Sequence, residues 1–320
     1  MWRKIVIVWG AVGVLFNHSL GQTNLIYNGS FEEYDSIPYV LAQIHFCKGW
    51  APARKGVTPD YFHSYSRWYG YYCDTIHYIV SVPKNCMGFQ YPKEGLAYVG
   101  IYAMEYAIYP PPYNNYTYSE PIYGLLVDSL RNEHIYEFAG YYVLANAFSK
   151  AGNQLQVFFF FTDTVPYVND LFNGYISSGF QVEHDTTIMM TDTFNWQAIN
   201  GCLKAKGGER YIAIGNFRSR SLCKMIDVQG DPYFTLIYQT SKDRSYYYLD
   251  DLSLYDRGYY GKDAKAIPST TICPASTIII GQNDTTDAHY QWWPASSLSC
   301  DTCPNPIASP TITTTYVVKK

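Results

Sequence analysis

Tyr246-Tyr247-Tyr248-Leu249-Asp250-Asp251-Leu252-Ser253-Leu254-Tyr255 (YYYLDDLSLY) reads as a single β-strand rich in the aromatic and aliphatic side chains that suit a pleated surface. A strand sends alternate side chains to opposite faces, so Asp250 falls on the face of Leu252 and Leu254. If those leucines point into a core, Asp250 goes with them. A buried carboxylate is costly unless paired, and its partner is then a cation, a set of backbone amides or an arginine.

Working outward, the same grammar recurs at Gly95–Ala103, Ile135–Ala145, Leu155–Thr162, Trp196–Ala205 and Arg210–Phe217, with Gly, Pro, Asn and Asp punctuating the gaps. Helical periodicity is nearly absent and no repeat of 20 to 50 residues recurs, which is the pattern of an all-β sandwich. Composition agrees: 34 Tyr, 16 Phe and 7 Trp bring aromatics to 18% against 16% charged residues, a balance that favours sheet. Pro110-Pro111-Pro112 lacks three consecutive amide donors, so Pro110–Asn115 is an exposed loop, and Val165–Gly179 is loop-like as well.

Residues 1–21 read as a secretory signal: Arg3 and Lys4, an apolar stretch from Ile5 to Phe16, then Ser19-Leu20-Gly21 before Gln22. Twelve apolar residues span only about 18 Å as a helix, short of the roughly 20 residues a bilayer needs, which argues against an anchor and predicts a secreted or surface-attached product. The formal charge is -4, and more negative still without Arg3 and Lys4, so neither nucleic acid nor an acidic membrane is an expected partner. Export makes Cys73, Cys86, Cys202, Cys223, Cys273, Cys300 and Cys303 disulfide candidates, with Cys47 the eighth thiol. Cys73 with Cys86 and Cys202 with Cys223 would close short loops, and Cys273 with Cys300 or Cys303 would staple the small C-terminal region.

A boundary falls near Arg257–Ala266, dividing the chain into 1–21 (signal), 22–256 (large domain), 257–266 (linker) and 267–320 (small domain). Asn24–Glu32 (NLIYNGSFE) resembles the first strand of galactose-binding-like jelly rolls, including carbohydrate-binding module families, and Tyr246–Leu254 resembles their last. Gly49-Trp50, Thr58–Phe62, Gly95–Gly100 and Gly207–Phe217 resemble domains of large exported proteins of gliding bacteria. Tyr290–Pro294, Cys300–Pro306 and Thr313–Val318 look like a PKD or immunoglobulin-type repeat. The resemblance implies a jelly-roll β-sandwich followed by a small Ig-like β-sandwich, in a non-catalytic module that binds glycan at or beyond the cell surface. It implies equally a structural or adhesive envelope protein, associated with gliding or type IX secretion, that binds no small molecule. Proteins of that kind continue into further repeats, so it also implies a truncated product or an attachment not visible in this sequence.

The same resemblance implies a structural Ca²⁺ where first and last strands meet, with Glu32 or Glu33 near Asp250 and Asp251. For glycan, pyranose rings stack on exposed aromatic faces, and Trp68, Tyr69, Tyr71 and Tyr72 beside Arg67 and Asp74, with Tyr113 among the prolines, are the candidates. Many tyrosines will instead cover sheet edges. No nucleophile elbow, HExxH, phosphate loop or EF-hand occurs, and the histidines lack ligand spacing, so no catalytic residue is assigned. Asp-Ser/Thr triplets such as Asp35-Ser36-Ile37 and Asp185-Thr186-Thr187 look like O-glycosylation acceptors of such bacteria.

Overall fold

A computed structural model describes residues 3–7, 23–68, 79–105, 118–160, 182–218, 220–231, 244–259, 267, 270–273, 275–281 and 290–319. The loops expected at 110–115 and 165–179 lie outside these residues. The chain divides into two compact units, one of Thr23–Asn132 and Tyr136–Asp256, the other of Met1–Gln22, Glu133–Ile135 and Arg257–Lys320.

The protein is all-β. In the large unit, one five-stranded sheet runs Val182–Glu183, Gln156–Phe160, Tyr211–Gly215, Ile122–Leu125, Trp50–Pro52, and is antiparallel throughout. The other runs Gln197–Lys204, His134–Leu144, Arg244–Tyr259, Ala97–Glu105, Asp60–His63. Their inner faces share one core: Val157, Phe159, Ile212 and Ile214 from the first sheet meet Val99, Ile101, Phe138, Tyr247 and Leu249 from the second. The outer face of the second sheet is also covered, by a cluster in which Phe62, Tyr98, Tyr246 and Tyr248 meet Ile79–Val80 and Cys86–Met87.

Two expectations need correction. Within Arg244–Tyr259, Tyr247 and Leu249 enter the inner core while Tyr246 and Tyr248 enter the outer cluster. Past Asp251 the parity reverses, since Leu252 and Leu254 are the inner residues. The cause is Asp251 itself, whose φ of 52° is left-handed and inserts one residue into the alternation. Asp250 is therefore buried on the side of Tyr246 and Tyr248, not of Leu252. Second, Asn24–Glu32 is an irregular turned segment and not a strand. Asn28 (φ 50°) and Phe31 (φ 61°) reverse the chain, and the Asn28 amide bridges the Glu33 and Lys48 carbonyls at 2.8 and 2.9 Å. The ends of the unit do meet: Leu252 N donates to Gly29 O at 2.8 Å, and Leu25 N to Leu254 O at 2.9 Å. Asn24 stitches them, donating to Leu252 O and accepting from Leu254 N, each at 2.9 Å.

In the other unit, a sheet runs Thr270–Ile272, Arg3–Ile7, Thr314–Lys319, Gln291–Trp293, with Arg3–Ile7 parallel to Thr314–Lys319. Ile278–Ile279 pairs with Ile307–Ala308. The core is small: Ile280, Tyr290, Trp292, Ala308 and Tyr316.

Candidate functional site

Strand Asp60–His63 ends in a tight turn that delivers Trp68 to the surface. Ser66 N donates to His63 O and Ser64 N to Leu96 O, both at 2.9 Å, and the Arg67 guanidinium folds back onto the Ser64 and Ser66 carbonyls. The Trp68 carbonyl accepts from Ile79 N at 2.9 Å, so the backbone is held while the indole stays 62% exposed. Tyr39, 42% exposed, stands 5.8 Å from the indole and 6.0 Å from Phe46, which contacts His45 at 4.5 Å. The loop bearing Tyr39 is braced by buried Gln43, whose Oε1 accepts from Tyr39 N and Val40 N at 2.8 and 3.0 Å. Sequence reading missed Tyr39 and Phe46, because only the fold brings residues 39–46 to residue 68. Tyr69, Tyr71 and Tyr113 lie outside the described residues. Other tyrosines build the core instead: Tyr61, Tyr98, Tyr246, Tyr247 and Tyr248 are fully buried.

The candidate metal ligands divide their work around one loop. Asp250 Oδ2 accepts from Lys93 N at 2.7 Å and Glu94 N at 3.2 Å, and Oδ1 from Asp251 N at 2.7 Å. Glu32 Oε1 accepts from Leu96 N and Ala97 N at 2.8 and 2.9 Å. Burial pushes both carboxyls up, more than the amides pull them down. Their oxygens are hard donors of the kind Ca²⁺ takes. Yet among the described residues no three acidic, histidine or cysteine side chains close around a point, and the residues as arranged do not fit a calcium cage. Asp251 shares its amide with Asp250, and Glu33 accepts instead from Tyr27 Oη at 2.8 Å.

Sequence reading also missed a buried acid pair. Asp60 accepts from Ala42 N at 2.6 Å and Tyr246 Oη at 2.5 Å. Glu120 Oε1 accepts from Thr58 N, Thr58 Oγ1 and Tyr118 Oη, and its Oε2 from Tyr102 N. Burial and then the charge of Glu120 raise Asp60 to about 8. Both side chains are shut away from solvent, which leaves a substrate no approach to them.

The thiols depart from expectation. Cys202 and Cys223 form no disulfide: Cys202 is exposed, whereas Cys223 is buried against the Asn216 amide at 3.4 Å. Cys300 bonds Cys303, leaving Cys273 free and exposed where a staple to either was expected. The near neighbour wins because Cys300 and Cys303 share one tight turn. Cys86 is disulfide-bonded, and Cys73 lies outside the described residues.

No protein-family model matches the chain, and no curated protein does. Among solved structures it is similar to the CBM22-1 xylan-binding domain from Paenibacillus barcinonensis Xyn10C (TM-score 0.32, 12% identity, 71% of this chain and 91% of that one). It is similar also to the CBM22-1-GH10 modules of Clostridium thermocellum xylanase 10B with xylohexaose (TM-score 0.32, 10% identity, 83% of this chain and 31% of that one). A third is a protein of Bacteroides thetaiotaomicron VPI-5482 described as a proposed sugar binder (TM-score 0.32, 10% identity, 73% of this chain and all of that one). Likeness this distant says nothing of what this chain binds. No helix among the described residues is long and apolar enough to cross a membrane.

Proposed function

We propose that the chain is an exported, non-catalytic module that binds glycan through the surface around Trp68. The observation that carries this reading is an indole held 62% exposed on a pinned turn, 5.8 Å from Tyr39. A sugar's aliphatic face needs such a flat apolar partner, with polar groups nearby for its hydroxyls. The test is a glycan array with wild-type protein and Trp68→Ala. Binding that drops roughly two- to tenfold in the variant supports the reading; an array on which the wild type binds nothing sinks it.

A second reading, a structural or adhesive envelope protein without small ligand, is favoured by the exposed free thiols Cys202 and Cys273. In an oxidising compartment these cross-link copies. It predicts disulfide-linked multimers on non-reducing gels that vanish in the Cys202→Ser/Cys273→Ser protein.

A further inference from the structure

Two segments remote in sequence, Phe89–Tyr91 and Asp192–Gln197, are tied into one surface. Trp196 Nε1 donates to Tyr91 O at 2.9 Å, and Gln90 Nε2 reaches Tyr91 O at 3.2 Å and Phe194 O at 3.5 Å. Each segment is independently fixed. Asp192 Oδ1 accepts from Phe194 N and Asn195 N at 2.9 and 2.7 Å, its Oδ2 accepts from Gln197 Nε2 at 2.9 Å, and its carbonyl accepts from Leu144 N at 2.9 Å. Phe89 N donates to Asn146 Oδ1 at 2.8 Å, and Gln90 N to Pro83 O at 2.7 Å.

This bracing holds rings in water. Phe194 is 83% exposed and Tyr91 63%, while Phe89 meets Tyr91 edge-on at 5.4 Å. Burying a phenylalanine is worth about 1.5–3 kcal/mol, which Phe194 forgoes on a turn too well bonded to collapse inward. Trp196 spends its N–H inward and packs against Tyr98 at 6.0 Å, which makes it the fixed back of the surface. The one carboxylate in either segment is Asp192, and both its oxygens are occupied by the turn. Exposed flat rings held on an amide-braced surface, with Lys84 as the strand partner of Phe89, match a ligand with alternating apolar faces and hydroxyls.

We propose that Phe89, Tyr91 and Phe194 form a second binding platform, for a polysaccharide, separate in its residues from Trp68. It rests on the glycan reading and adds a second point of contact, so a long chain engaging both gains avidity that a short oligosaccharide does not.

The test is affinity gel electrophoresis of the full chain in soluble xylan, mixed-linkage β-glucan and galactomannan, comparing wild type, Phe194→Ala, Tyr91→Ala, Trp68→Ala and Phe194→Ala/Trp68→Ala. Phe194 is so exposed that its removal leaves the fold intact, which circular dichroism checks. The expected result is a roughly two- to tenfold weaker retardation in Phe194→Ala and in Tyr91→Ala, with a further loss in the double variant. If Trp68→Ala loses all retardation while Phe194→Ala and Tyr91→Ala match wild type, this platform is wrong and the glycan reading stands. If Phe194→Ala weakens binding and Trp68→Ala does not, the platform stands and Trp68 was misassigned. Wild-type protein that no polysaccharide retards overturns both. Sedimentation in which Phe194→Ala turns a dimer into a monomer without altering retardation overturns the platform alone, since the rings then serve a second copy of the chain.

Discussion

Asp60 holds its carboxyl among neutral donors, with Glu120 as the neighbouring charge, and is raised to about 8. Because the folded state binds this proton more tightly than the unfolded chain, the associated stability is fully present below about pH 4. It is lost as pH rises through about 8. His63, lowered to about 4 by burial, and His184, also lowered by burial, work the other way: their contribution is present above about pH 6.5 and lost as pH falls. Comparing variants isolates the acid. Asp60→Asn mimics the protonated group, so urea melts should find it gaining on wild type between pH 5 and pH 8.5, by about 1.4 kcal/mol per pH unit at most. Parallel pH curves for the two proteins would show that Asp60 ionises normally. For Glu32 and Asp250, whose oxygens face amides, the expected effect of EDTA on the melting midpoint is none; a fall of several degrees would restore calcium to that loop.

At the scale of the element, the reversal at Asp251 controls which residues of Arg244–Tyr259 reach the core. Aspartate tolerates the left-handed region better than most residues, whereas a β-branched side chain does not. Asp251→Val is expected to cost about 1–2 kcal/mol in a denaturant titration, and Asp251→Gly to cost little or to stabilise. Equal losses for both would show that the side chain and not the backbone matters. The strands themselves were legible: Gly95–Ala103 is found as Ala97–Glu105, Trp196–Ala205 as Gln197–Lys204, and Arg210–Phe217 as Tyr211–Gly215. Alternation reports burial directly, which is why it located them. It carries no mark of a single left-handed residue, so the face of Asp250 was misread, and it cannot see that Asn28 and Phe31 turn Asn24–Glu32 into loops.

Across the whole molecule, what local sequence hides is convergence. Trp68 was readable as an exposed aromatic, but Tyr39 and Phe46 join it only through the folded loop, and Phe89, Tyr91 and Phe194 had no local signature. Nor does spacing reveal pairing: Cys300 takes Cys303 and leaves Cys273 free. A bridge closing so short a loop restricts the unfolded chain little, so Cys300→Ser/Cys303→Ser should lower stability by about 2 kcal/mol at most. A thermal melt in which the signal from Trp292 collapses at a far lower temperature would contradict this.

Asn24 has a consequence for biosynthesis. Its side chain bonds Leu254 from 230 residues away, so on the ribosome it has only its local bond from Ile26 N while nearly the whole module is translated. Contacts that close so large a loop form slowly. The seam between the ends thus closes last: a nascent polypeptide halted before Leu252 can pair its start with Leu125–Val127, but leaves Leu25 N and Gly29 O without the strand that completes them.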